Sequence, residues 1–126
     1  MIMAVKDYKE LIVWQKAMLV AEQVYVLVKK LPKEELFALS DQMRRCAVSI
    51  PSNIAEGQER NTTADFLRFV GVAQGSRSEL ETQLLLCERV GYLKREDTEV
   101  CLGLLKEIGK MLNTIVSRLS NDKSGQ

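Results

Sequence analysis

The chain has no histidine. Its absence excludes Ser-His-Asp and Cys-His catalysis within this sequence. It also excludes the Glu-x-x-His di-metal site that helical bundles carry. Cysteine is scarce: Cys46, Cys87 and Cys101 are an odd number and form no Cys-x-x-Cys pair. They lack zinc-like spacing and read as buried, reduced thiols serving as small hydrophobes. A reducing compartment, the cytoplasm, follows. Long apolar runs are missing too. The longest uncharged stretch, residues 46–55, falls far short of the roughly 20 apolar residues that span a bilayer. Lys6 and Asp7 interrupt the N-terminus before a signal-like segment can form, so no membrane contact is expected. Nor is there an excess of one charge. With 18 basic and 17 acidic side chains the net charge is +1, so any polyanion would need a patch made by folding or assembly. No Gly-rich phosphate loop occurs.

What is present is helical periodicity. Hydrophobic residues make up 46% and charged residues 28% of 126 residues, a globular composition of single-domain size. Between two prolines and seven glycines, apolar residues recur every three or four positions. The pattern predicts one all-α domain, an antiparallel up-down-up-down four-helix bundle. Its helices are expected at about 7–30, 34–57, 62–90 and 97–119, with a polar, frayed tail at 120–126.

The first helix carries two apolar stripes: Leu11, Trp14, Met18, Ala21, Tyr25 and Val28, then Ala17, Val20, Val24, Leu27 and Leu31. Two stripes cover more than one core face needs. Either the helix lies between two neighbours, or part of it meets another subunit. Leu31-Pro32 ends it, because the residue before proline avoids helical dihedrals. The second helix has a core stripe of Leu36, Leu39, Met43, Cys46, Ile50 and Ile54, with Pro51 inside it. A kink at Pro51 is expected, or a break with Ser52 capping a second piece. Asn61 or Thr62 caps the third helix, whose Gly71 and Gly75 lie one turn apart and invite close packing by another helix. Gly91-Tyr92 ends it.

Two features depart from plain scaffolding. Ser49, Pro51, Asn53, Glu56 and Gly57 place hydroxyl, amide and carboxylate groups in a helical stretch. They serve either to repair a proline kink or to shape a polar contact surface. Between Arg44 and Arg89, moreover, every basic residue is arginine. Arginine suits fixed, bidentate contact with carboxylate or phosphate. Arg44, Arg45, Arg60, Arg68 and Arg77 are therefore candidate phosphate contacts, or else partners of Glu56, Glu59, Glu79 and Glu81 on neighbouring helices. Catalysis has little support. Glu79 and Glu81 diverge on a helix, and Glu56 and Glu59 have no nucleophile or metal partner nearby. No enzyme activity, cofactor or metal is expected.

Three blocks carry a resemblance: residues 8–17, beginning Tyr8-Lys9-Glu10-Leu11; the run from Gln42 through Ser49-Ile50-Pro51-Ser52-Asn53-Ile54-Ala55-Glu56-Gly57; and Phe66-Leu67-Arg68-Phe69 with residues 75–84. Over about residues 8–119 the chain resembles the bacterial four-helix-bundle proteins named for intervening sequences in 23S ribosomal RNA genes. The resemblance implies a ring assembly, commonly a homopentamer, and no catalytic site. It also implies a distant likeness to the accessory variability protein of diversity-generating retroelements, a basic pentameric barrel that binds nucleic acid and a reverse transcriptase. The expected partners are therefore further copies of this chain, RNA or DNA, and a reverse transcriptase. A ring would repeat a modest basic strip around an axis and concentrate its field.

Overall fold

The computed structural model describes residues 7–124 and places four α-helices, with no strand, among them: α1 Ile12–Leu27, α2 Leu39–Gln58, α3 Thr63–Arg89 and α4 Arg95–Ser124. Single 3-10 turns precede and follow α1. Each helix packs against two others, so α1 and α3 sit diagonally, as do α2 and α4. The neighbours run antiparallel. Lys30 meets Asp97 and Lys16 meets Glu107 between α1 and α4, both at 2.7 Å. Met43 meets Cys87, and Gly57 meets Phe66 and Phe69, between α2 and α3.

The core is one apolar cluster drawn from all four helices, including Val20, Val24, Met43, Ile50, Phe66, Leu80, Leu84, Leu105, Ile108 and Leu112. On α1 the second stripe, Ala17 to Leu31, is buried throughout. The first stripe splits. Leu11, Ala21 and Val28 are buried, while Met18 and Tyr25 face outward.

Local chemistry fixes the helix ends. Thr62 Oγ1 accepts the Asp65 N–H at 3.1 Å and starts α3. Gly91, at φ +84°, ends it, with the Tyr92 and Leu93 N–H groups returning to the Cys87 carbonyl. The second helix starts later than its sequence pattern predicts. Residues 33–35 form a 3-10 turn, Ala38 leaves the helical region, and the Glu35 carboxylate accepts the Leu39 N–H. The same carboxylate accepts the Tyr92 hydroxyl at 2.9 Å, tying two loops together. Leu36 is consequently exposed in the loop rather than part of the core stripe. α4 begins at Arg95 and continues to Ser124, so the backbone is helical over residues 120–124 of the expected tail, and residues 125–126 lie outside the described residues. There is no break at Ser52 either, because α2 runs continuously through Pro51.

Gly57 sets an interhelix distance and Gly109 makes room for a side chain, and they are not the pair that spacing suggests. Gly71 and Gly75 are exposed with open space beside them, so no helix of this chain packs there. At Gly57 an added Cβ would stand 3.0 Å from that of Phe69 and 3.4 Å from the Phe66 ring. At Gly109 of α4 it would stand 2.8 Å from Arg77 Nε. The backbone of α2 can thus approach α3 closely only where residue 57 has no side chain. Gly57→Ala should force α2 and α3 apart and cost about 1–3 kcal/mol, the usual range for overpacking. Urea unfolding checks this, and an unchanged midpoint would refute it.

Candidate nucleic-acid interface

The motif centred on Pro51 is a seam between α2 and α3. Ser49 Oγ lies 2.8 Å from Ser76 Oγ, and Asn53 Nδ2 donates to the Ser49 carbonyl at 2.7 Å and to its hydroxyl at 3.0 Å. One turn earlier, Cys46 Sγ donates to the Ser76 carbonyl at 3.0 Å and to Glu79 Oε2 at 3.3 Å. The Ser49 hydroxyl therefore reaches across to α3 rather than folding back onto its own helix. The seam satisfies polar groups at a half-buried contact, which ties two helices in one register. Burial, and then the hydrogen bond to Glu79, push the Cys46 thiol up to about 12. Burial pushes Cys101 to about 12 and Cys87 to about 11. Three neutral thiols at ordinary pH make poor nucleophiles.

The five candidate arginines do not form one strip. Arg44 and Arg45 sit near the start of α2, and Arg60 lies just past its end, about 24 Å further at 1.5 Å per residue. Each has a carboxylate within about one turn along its own chain segment. Arg45 Nε donates to Asp41 Oδ2 at 2.9 Å, and Arg44 lies 3.9 Å from the other oxygen of Asp41. Arg60 is 3.8 Å from Glu56, and Arg68 is 3.9 Å from Asp65. Among the described residues Glu56, Glu59, Glu79 and Glu81 pair with no arginine on a neighbouring helix, and every arginine ion pair is local. Local pairs of this kind are worth only about 0.3–0.5 kcal/mol.

Two of these arginines do converge. The guanidinium carbons of Arg60 and Arg68 both lie 4.6 Å from the centre of the Phe69 ring. The ring's negative face attracts both cations and holds them at one end of the α2–α3 pair. Periodicity assigns Phe69 to the core, where it is buried, but does not reveal this second role.

Arg77 belongs to a different structure. Its Nε donates to Gln74 Oε1 at 2.6 Å, Nη1 to Glu81 at 2.8 Å and Nη2 to Ser78 Oγ at 3.3 Å. The side chain lies against Gly109, while Gln74 Nε2 donates to the Gly109 carbonyl at 3.0 Å and to Asn113 Oδ1 at 2.9 Å. With its nitrogens engaged and its side chain half-buried, Arg77 joins α3 to α4.

Sequence reasoning missed the cations that have no ion pair among the described residues. Lys29, Lys33, Arg89, Lys94 and Arg95 gather at the loop end of the bundle, among acids such as Glu34 and Glu96, and Lys106, Lys110 and Arg118 lie on α4. The available signal was the one-turn spacing between each candidate arginine and an acid, which forms an ion pair in every case. Among the described residues no group of three or more Cys, Asp or Glu side chains is placed to hold a metal ion, and no helix is long and apolar enough to cross a membrane.

The model of the 23S rRNA-intervening sequence protein family matches residues 9–114. The chain belongs to that family. A search of curated proteins finds no match. Among solved structures the chain is similar to a protein of unknown function from the S23 ribosomal protein family of Bacteroides thetaiotaomicron. The two are 31% identical with a TM-score of 0.77, over 83% of this chain and 98% of the other.

The thiols provide a test of the seam. In the folded protein Cys46, Cys87 and Cys101 should resist iodoacetamide at pH 8, and all three should react once urea unfolds the chain. Their raised values also mean that the folded state holds these protons more tightly than the unfolded state, whose thiols ionise near 9.0. Stability linked to them is full below pH 9 and is lost as pH rises towards 11–12. Rapid labelling of Cys46 in the native protein at pH 8 would contradict a closed seam.

Proposed function

We propose that this chain is a non-enzymatic, homo-oligomeric adaptor, a ring of about five copies as the family resemblance suggests, that binds nucleic acid in the cytoplasm. The observation that carries the reading is an apolar ridge on α1. Ile12, Leu19 and Val26 recur at seven-residue spacing and are 54%, 49% and 60% exposed. Neither apolar stripe expected on the first helix contains them. A groove of about 370 Å³ beside the ridge is lined by Leu19, Val26 and Val100 among others. A seven-residue repeat is the spacing that a second helix packs into.

The diagonally opposite helix offers a surface of another shape. On α3, Gly71 and Gly75 lie open, and Val72, Leu85 and Leu86 of the same helix are exposed. A ridge on one side and a small-residue face on the other suit head-to-tail contacts between copies, which close into a ring when the rotation permits. Assembly would multiply the exposed Arg45, Arg60 and Arg68, and the half-buried Arg44, around an axis. Their local ion pairs are weak enough for phosphate to take over, and phosphate contact releases counterions. The family's association with 23S rRNA intervening sequences supports RNA as the nucleic acid. The likeness to a retroelement accessory protein supports a reverse transcriptase as a further partner.

Light scattering on the parent protein should give a mass about five times that of one 14.3 kDa chain. Leu19→Glu with Val26→Glu should reduce it towards a single chain. Gly75→Ala should weaken assembly, although the open space beside it costs the single chain nothing. Binding of labelled structured RNA should weaken steeply with salt, and less steeply after Arg44, Arg45, Arg60 and Arg68 are changed to Gln. A parent protein that is monomeric, or silent towards RNA and DNA at low salt, overturns the adaptor reading. The local pairing of the arginines favours a second reading, a protein-only scaffold. That reading requires an intact oligomer with no nucleic-acid binding.

A further inference from the structure

The cations of α4 differ from the arginines of α2 and α3. The exposed positions in the second half of this helix are Lys106, Glu107, Lys110, Asn113, Thr114, Ser117 and Arg118. No acidic residue occurs from Ile108 to Asn121, and Asp122 follows four positions beyond Arg118. Glu107, the nearest preceding acid on the helix, is bound to Lys16 of α1 at 2.7 Å. Among the described residues Lys106, Lys110 and Arg118 have no ion pair, whereas Arg44, Arg45, Arg60, Arg68 and Arg77 each have one.

Lys106, Lys110 and Asn113 border a groove of about 450 Å³ between α3 and α4, where Arg77, Lys106 and Lys110 outnumber the one carboxylate, Glu81. That carboxylate is already bound by Arg77 at 2.8 Å. Gln74 Nε2 donates to the side-chain oxygen Oδ1 of Asn113, so the Asn113 amide NH2 remains a donor at the groove. Lys106 and Lys110 are one turn apart, about 6 Å along the helix axis. That spacing matches about two successive phosphates of one strand, which carry one charge per about 3.4 Å of duplex axis.

We infer that the face of α4 beside this groove, with Lys106, Lys110 and Asn113, is a second nucleic-acid contact that grips the phosphodiester backbone without reading bases. The inference rests on the proposed nucleic-acid function and assigns it a surface the arginines do not provide. Composition selects this occupant. From Lys106 onward the described part of α4 exposes no large hydrophobic residue. Protein partners bind through buried apolar anchors and membrane-surface helices through an apolar face. Backbone contact with nucleic acid needs cations and neutral hydrogen-bond donors, which this face supplies. Lysine acts as a mobile point charge and suits contact that ignores sequence.

The test compares the parent protein with a Lys106→Gln, Lys110→Gln variant, using anisotropy of a labelled RNA hairpin and a labelled DNA duplex across a salt series. Both side chains are exposed and have no ion pair among the described residues, so melting curves of parent and variant should coincide. The slope of log affinity against log salt should fall by about 2 in the variant, and Lys106→Arg with Lys110→Arg should retain the parent slope. A variant slope equal to the parent's overturns the α4 assignment and leaves the adaptor reading standing. A parent protein that binds neither probe at low salt overturns both. Displacement of the hairpin by polyglutamate as effectively as by unlabelled RNA of equal charge overturns the preference for phosphate.

Discussion

The close approach of α2 to α3 at Gly57 positions the polar seam, the paired arginines and much of the core. With no Cβ there, the Phe66 and Phe69 side chains fit against the α2 backbone. One turn back and more, Ser49, held by Asn53, bridges to Ser76, and Cys46 binds the same stretch of α3. The contact is polar at its rim and apolar beneath, since Ile50 and Ile54 belong to the common core. A core of interchangeable aliphatic side chains tolerates sliding, whereas directional hydrogen bonds between paired polar groups do not. Only one register of the helix pair satisfies Ser49, Ser76 and Gly57 together. That register also brings Arg60 and Arg68 to the same Phe69 ring.

Charge in this molecule is organised over one helical turn. The arginines of α2 and α3 that pair with an acid each lie three or four positions from it, and such pairs form wherever the helix forms, whatever it packs against. A near-zero net charge therefore conceals two populations of cations. One is partnered, the arginines within their own chain segment and Lys16 and Lys30 across to α4, and contributes little field at a distance. The other, on α4 and at the loop end of the bundle, forms no ion pair among the described residues. At physiological ionic strength the screening length is about 8 Å, so which cations lie close to an acid governs the local field more than the total does.

The outward apolar residues show a comparable division. Scattered exposed hydrophobes are ordinary on a protein surface, but Ile12, Leu19 and Val26 are ordered on one line of α1, and Val100 stands beside them across a groove. The small-residue face of α3 lies on the diagonally opposite helix. Two unlike surfaces on opposite sides of one bundle form the geometry from which heterologous assembly is built.

Much of this architecture is legible along the chain. Four helices, the Thr62 and Gly91 boundaries, the buried stripe from Ala17 to Leu31 and family membership all rest on short-range signals: periodicity, caps and contiguous motifs. These are local because a helix bonds residue i to residue i−4 and nothing further away. The tertiary structure alone distinguishes Gly57 and Gly109, which other side chains press against, from Gly71 and Gly75, which nothing in the chain approaches. Exposed Leu36 and Ile12 likewise match buried apolar residues in the sequence and differ from them only in what packs beside them. Arg77 shows the same limit. Its type announces a charge, but its role as a strut against Gly109 depends on two helices meeting at positions more than thirty residues apart, a separation over which sequence periodicity carries no information.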